Sequence, residues 1–204
     1  STALIEKGVV IEYLIGSLLM NKQINPKSLL PGDQNAILLN ARLNAYGNDY
    51  SFESKCVSCE KVIKTEVDLN EISIKDISDE YHIDQQGYIN LNLEKSNFSV
   101  QLQQLDVYEI AQAQKNKSVH STVGDTSKLL LSIIRSINGE VNDGSLKFIN
   151  AIESLPSKDV RQLKEAYNKT KPDVDFSLTI QCNSCGHTRE GTMPITARFF
   201  WPDS

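Results

Sequence analysis

Two short stretches decide the fold: Cys56-Val57-Ser58-Cys59 and Cys182-Asn183-Ser184-Cys185-Gly186. They hold all four cysteines of a 204-residue chain. A C-x-x-C turn at the tip of a β-hairpin aims both thiolates at one ion, and two such knuckles complete a tetrahedral four-sulfur set. The flanking residues suit hairpins. Tyr50 and Phe52 lead into the first pair, and Val62, Ile63, Thr65 and Val67 lead out. Asp173 to Ile180 is a strand leading into the second pair, and His187 to Ile195 is its return. Within each pair the spacing is that of a zinc ribbon. Between the pairs lie residues 60–181, where a gap of roughly 15–20 residues is common. The ribbon must therefore be split. One structural Zn2+ per chain is expected on Cys56, Cys59, Cys182 and Cys185, with the rest of the fold inserted between the two halves.

Other fates for these cysteines fit less well. Two disulfides would suit a secreted chain, but no signal peptide is visible and a reducing cytosol is the expected compartment. A thioredoxin-like pair opens a helix after a strand, whereas here each pair is followed by another strand. Iron–sulfur ligation is chemically open to four thiolates, but hairpin knuckles favour zinc. Four thiolates leave no vacant position for water, which argues for structure and against catalysis. His187, two residues after Cys185, is a spare candidate ligand better placed on the return strand in solvent.

Working outward gives an α+β fold, with several short helices and β-hairpins around the split ribbon. The stretch Ala3 to Met20 is apolar on too many sides for a one-faced stripe, which predicts a helix buried on more than one side, against the core or a partner. Glu6, Lys7 and Glu12 interrupt it, so it is no membrane span. Asp33 is read as the N-cap of a helix from Gln34 to Tyr46, and Gly47 as its left-handed stop. Arg42, in the middle of that helix, is either solvated or a buried ion-pair partner. A second hairpin is predicted at Tyr88–Leu93 and Phe98–Leu102. Asp106 and Glu109 have capping-box spacing for a helix to about Lys115. The segment 116–126 is polar and expected to be mobile, and Leu129 to Ile137 is ambiguous between helix and strand. Ser145 and Ser157 are read as caps of two further helices separated by Pro156. The resulting division is an N-terminal helical segment at 1–49, ribbon halves at 50–69 and 173–198, an inserted α+β region at 70–172 and an aromatic tail at 199–204.

Composition narrows function. The formal net charge is −5, with 21 Lys and Arg against 26 Asp and Glu, and no dense basic run. Nucleic-acid binders usually carry a clustered basic surface, which disfavours the zinc-ribbon transcription factor as an alternative. No phosphate-binding glycine loop occurs. His82 and His120 lie in polar stretches without a nucleophile, and no carboxylate pair stands out as an acid–base couple, so no catalytic residues are assigned. The ending Phe199-Phe200-Trp201-Pro202 differs from the polar tail usual at a terminus. Phe199, Phe200 and Trp201 either fold back to close the core or serve as a partner-binding element.

Several motifs together resemble one family. They are Asn25-Pro26-Lys27-Ser28-Leu29-Leu30-Pro31-Gly32-Asp33-Gln34-Asn35-Ala36-Ile37-Leu38 with Arg42, and Tyr46-Gly47 with Tyr50, close to a C-x-x-C hairpin. Further on come Leu155-Pro156-Ser157-Lys158-Asp159 with Arg161 and Leu163, then Tyr167, Pro172, Cys182, Cys185-Gly186 and the Phe-Phe-Trp-Pro ending. In this order they resemble the base-plate proteins of T-even-type contractile-tail phages, from about residue 6 to the end. One departure is Val57-Ser58, where a Pro often stands between such cysteines. The resemblance implies a late viral protein acting in assembly of the base-plate hub, present in the host cytoplasm and virion-borne or transient. Its implied partners are other tail or hub proteins; the apolar helix and the aromatic tail add a second copy of the chain as a candidate neighbour.

Overall fold

A computed structural model describes residues 9–115 and 124–200. The first part of the chain forms α1 (Val9–Leu18), α2 (Pro31–Tyr46), β1 (Asp49–Lys55), β2 (Val62–Asp68) and β3 (Ser73–Ile74). The middle forms β4 (His82–Ile83), β5 (Ile89–Asn92), β6 (Ser99–Leu102), α3 (Val107–Lys115), α4 (Asp125–Ile133), β7 (Ile134–Ile137), β8 (Glu140–Val141), α5 (Leu146–Glu153) and α6 (Ser157–Lys169). The last part forms β9 (Val174–Asp175), β10 (Ser177–Gln181), β11 (Thr188–Thr192) and α7 (Ala197–Phe200). The fold is α+β. The described residues divide into two compact units: 9–26, 32–75 and 173–200 in one, and 27–31, 76–115 and 124–172 in the other.

The first unit draws on both ends of the chain. β1 and β2 pair antiparallel from Asp49↔Asp68 to Lys55↔Val62, and β10 and β11 pair from Ser177↔Thr192 to Gln181↔Thr188. Each is a separate two-stranded sheet. A short ladder, Ser73↔Asp175 and Ile74↔Val174, joins β3 to β9, and Lys75 N–H continues it to Asp173 O at 2.8 Å. α2 starts at Pro31, whose missing N–H would have had no helical acceptor at the first position. This corrects the expected Asp33 cap: Asp33 lies inside the first turn and acts there through the helix dipole. Gly47 ends the helix as expected, at φ 78 with its N–H on Leu43 O at 3.0 Å.

Phe199 and Phe200 belong to this unit's interior. Phe199 is 0% exposed and Phe200 6%. Phe199 stands edge-on to Tyr50 at 5.1 Å and to Phe200 at 5.0 Å. Phe199 and Phe200 thus follow the first of the two alternatives, folding back to close the core; Trp201 lies outside the described residues. Arg42 is also buried, but in neither of the two expected roles. Its guanidinium donates to Gly47 O at 3.0 Å and Asp49 O at 2.9 Å, and lies over the rings of Tyr46 and Phe199. It thus ties the end of α2 to the start of β1 and the tail. Of the N-terminal helix, α1 is described, with Ile15 fully buried and Tyr13 exposed; residues 3–8 of the expected helix lie outside the described residues.

The second unit is built on a five-stranded antiparallel sheet in the order β4-β5-β6-β7-β8. The predicted hairpin is its β5–β6 pair, with Leu91 opposite Val100. Its core gathers Ile89, Leu91, Val100 and Leu102 from the strands with Leu130, Ile133, Ile152 and Leu163 from the helices. The stretch ambiguous between helix and strand is both, α4 up to Ile133 and β7 from Ile134. Asn142 makes the switch possible, because its Nδ2 donates to Leu131 O at 2.8 Å and Ile134 O at 2.9 Å. Carbonyls at a helix end otherwise lack partners.

The capping predictions have mixed outcomes. Asp106 N–H donates to Glu109 Oε2 at 3.0 Å while Glu109 N–H donates to Asp106 Oδ1 at 2.7 Å, a complete capping box. Ser145 caps α5 by accepting from Phe148 N–H. Ser157 does not cap α6: Pro156 occupies the cap position and Ser157 is the first helical residue. Asp159, wholly buried on α6, accepts from the backbone N–H groups of Lys95 at 2.9 Å and Ser96 at 2.8 Å, pinning the β5–β6 turn. Of the segment expected to be mobile, residues 116–123 lie outside the described residues and Asp125 opens α4.

Candidate metal centre

The two C-x-x-C pairs sit at the tips of β1–β2 and β10–β11, where backbone hydrogen bonds shape each turn. In the first, Cys56 N–H donates to Lys61 O and Glu60 N–H to Cys56 O, both at 2.9 Å. In the second, Cys182 N–H donates to His187 O and Gly186 N–H to Cys182 O, both at 2.8 Å. Such a turn needs a left-handed residue just after its second cysteine. Gly186 supplies it at φ 72 and Glu60 at φ 59. Glu60 is a position that sequence reasoning missed; its alignment with Gly186, one residue past the second cysteine of each pair, was the available signal.

The fold brings the two tips together. Cys56 Sγ lies 3.7 Å from Cys185 Sγ, and Cys59 Sγ lies 3.7 Å from Cys182 Sγ. All four sulfurs are within 4.8 Å of one another. Among the described residues no His, Asp or Glu joins this group. His187 is exposed, and His82 is exposed on β4; His120 lies outside the described residues. Beneath the sulfurs, Ile63 and Ile180 are buried with Cys56 and Cys182, and Phe52 and Leu178 pack against them. Four sulfurs converging on one point, two of them shielded, could hold a metal ion.

The electrostatics favour a cation there. Backbone N–H groups of Cys59 and Ser58 hold the Cys56 thiol down at about 6. Those of Ser184 and Cys185 lower Cys182 likewise. At Cys59 the backbone N–H of Lys61 pulls down, but burial and the neighbouring thiols win and push it up to about 11. The knuckles thus prepare thiolate character at two sulfurs, and the crowding of negative charge resists further ionisation until a cation arrives. Other buried polar groups are committed to structure, Asp159 to the β5–β6 turn and Arg42 to the end of α2.

Paired cysteine knuckles, one at the tip of β1–β2 and one at the tip of β10–β11, define a split-ribbon α+β protein. The family of T4 bacteriophage base plate proteins has a model that matches residues 6–201, and the chain belongs to that family. No curated protein and no solved structure matches it. Membership places the chain among phage tail base-plate proteins, with a structural or assembly role and other tail proteins as partners. No helix of the described residues is long and apolar enough to cross a membrane.

Proposed function

We propose that this chain is a non-enzymatic subunit that acts in assembly of the base-plate hub through protein contacts, with its ribbon held by one structural zinc. The observation that carries this is the closed four-sulfur cluster within a chain of the base-plate family. Thiolate softness and the tetrahedral preference of Zn2+ match Cys56, Cys59, Cys182 and Cys185 as a complete ligand set. A complete set leaves the metal nothing to do but hold the hairpins. The nucleic-acid alternative gains no support from a chain of net charge −5.

Two measurements test the two halves of this proposal. Elemental analysis of purified protein is expected to give near-equimolar zinc; two ions per chain, or none with intact disulfides, defeats the ligand assignment. Affinity capture of the chain from infected cells, followed by mass spectrometry, is expected to recover hub proteins from the host cytoplasm before tails are complete. Recovery only with nucleic acid, in a manner abolished by salt, defeats the assembly role. The same search on purified particles separates a resident base-plate subunit from one that leaves after assembly.

A further inference from the structure

The two units are held by different means. Around the knuckles the buried set is Cys56, Ile63, Ile180 and Cys182, so half of it consists of the candidate ligands themselves. An isolated two-stranded hairpin is marginal in water, and a small apolar core needs a staple. Much of the first unit leans on the first hairpin. Leu69 N–H donates to Asn48 O at 2.8 Å, Arg42 reaches across the end of α2 to Asp49 O at 2.9 Å, and Phe199 packs on Tyr50.

The second unit has its own means. None of the four cysteines is in its core, which is one continuous apolar cluster. It also closes its own base. Ser78 N–H donates to Lys169 O at 3.1 Å, and Lys169 Nζ pairs with Glu80 at 3.0 Å and with Glu165 at 2.8 Å. Its ends are thus brought together by its own residues.

We propose that the four-cysteine site is a clasp for the first unit alone, so that loss of the metal opens the hairpins and the Tyr50–Phe199 core while the second unit keeps its fold. This rests on the zinc assignment above. It makes the chain a two-stage object, in which metal occupancy controls one unit's order without touching the other's.

The test uses the full chain. Metal content is measured first, then hydrogen exchange by mass spectrometry before and after treatment with a strong zinc chelator under reducing conditions. Peptides covering 49–68 and 177–200 are expected to lose at least tenfold in protection. Those covering 89–102, 130–137 and 146–169 are expected to stay within twofold. Cys56→Ser is expected to reproduce the chelated pattern without chelator. Loss of protection in both units together, or in neither, overturns the clasp while leaving the zinc assignment standing. Absence of metal from the purified, reduced protein overturns both.

Discussion

The two knuckles make the same pair of backbone hydrogen bonds from different sequences. Cys182-Asn183-Ser184-Cys185-Gly186 ends on a residue without a Cβ, and Cys56-Val57-Ser58-Cys59-Glu60 ends on one with a long side chain. Both end residues are left-handed, at φ 72 and φ 59. An L-residue pays roughly 1–2 kcal/mol for that conformation. Glu60 holds it because the turn closes through its own N–H onto Cys56 O. The geometry is thus imposed by the two sulfurs and the flanking strands, and residue choice at the fifth position only modulates stability. Beyond the tips the hairpins differ: the base of the first carries Tyr50 against Phe199, so it is moored to α7.

The equivalence of the knuckles is most severely tested at the sulfurs. Cys56→Ser and Cys182→Ser are each expected to abolish metal retention and loosen both hairpins, because structural zinc contributes on the order of 10 kcal/mol or more. Inequivalent effects, measured by metal analysis and exchange at each hairpin, would break the comparison. Phe199→Ala comes next, at about 3–5 kcal/mol for truncating a fully buried phenylalanine. Its exchange signature is expected on β1–β2 rather than β10–β11, which would sharpen the difference between the two bases. Asp159→Ala is the control in the other unit. It strands two N–H groups and is expected to cost about 1–3 kcal/mol with zinc content unchanged.

The smallest effects fall at the left-handed positions. Apart from its own chain neighbours, nothing lies within 4 Å of a Cβ placed on Gly186. Gly186→Ala is therefore expected to cost only the conformational penalty of about 1–2 kcal/mol. Glu60→Gly is expected to gain about 0.5 kcal/mol, that relief less the greater chain entropy of glycine. Thermal unfolding of the zinc-loaded protein reads both. Acid acts on the metal itself: protons compete with the cation for the thiolates, so zinc retention measured across falling pH is expected to decline.

The ribbon was legible because cysteine spacing is a local signal with a single geometric solution, and the strands around it alternate. The capping box at Asp106 and Glu109 was legible for the same reason, since both partners lie within one turn. What escaped the sequence depended on distant partners. The five-stranded sheet needed β7, whose apolar run Leu129 to Ile137 gave no hint of where helix would become strand; Asn142, outside that run, supplies the donors that allow the break. Arg42 could not be placed because its acceptors are main-chain carbonyls just beyond the helix. Phe199 reads alike whether exposed or buried, and its contact with Tyr50, some 150 positions earlier, decides it. Asp33 and Ser157 carry cap-like side chains but do not cap, because in each case a nearby proline, Pro31 or Pro156, sets the helix start.

The separation of the two knuckles also has a clock in it. Cys59 and Cys182 are 123 positions apart, and a ribosome adds roughly 5–20 residues per second. Once the first pair has been synthesised, about 6–25 s therefore pass before its counterpart exists. During that interval the nascent chain carries half a coordination sphere, and the second unit, whose residues all lie between the pairs or before them, has time to fold before the ring is closed.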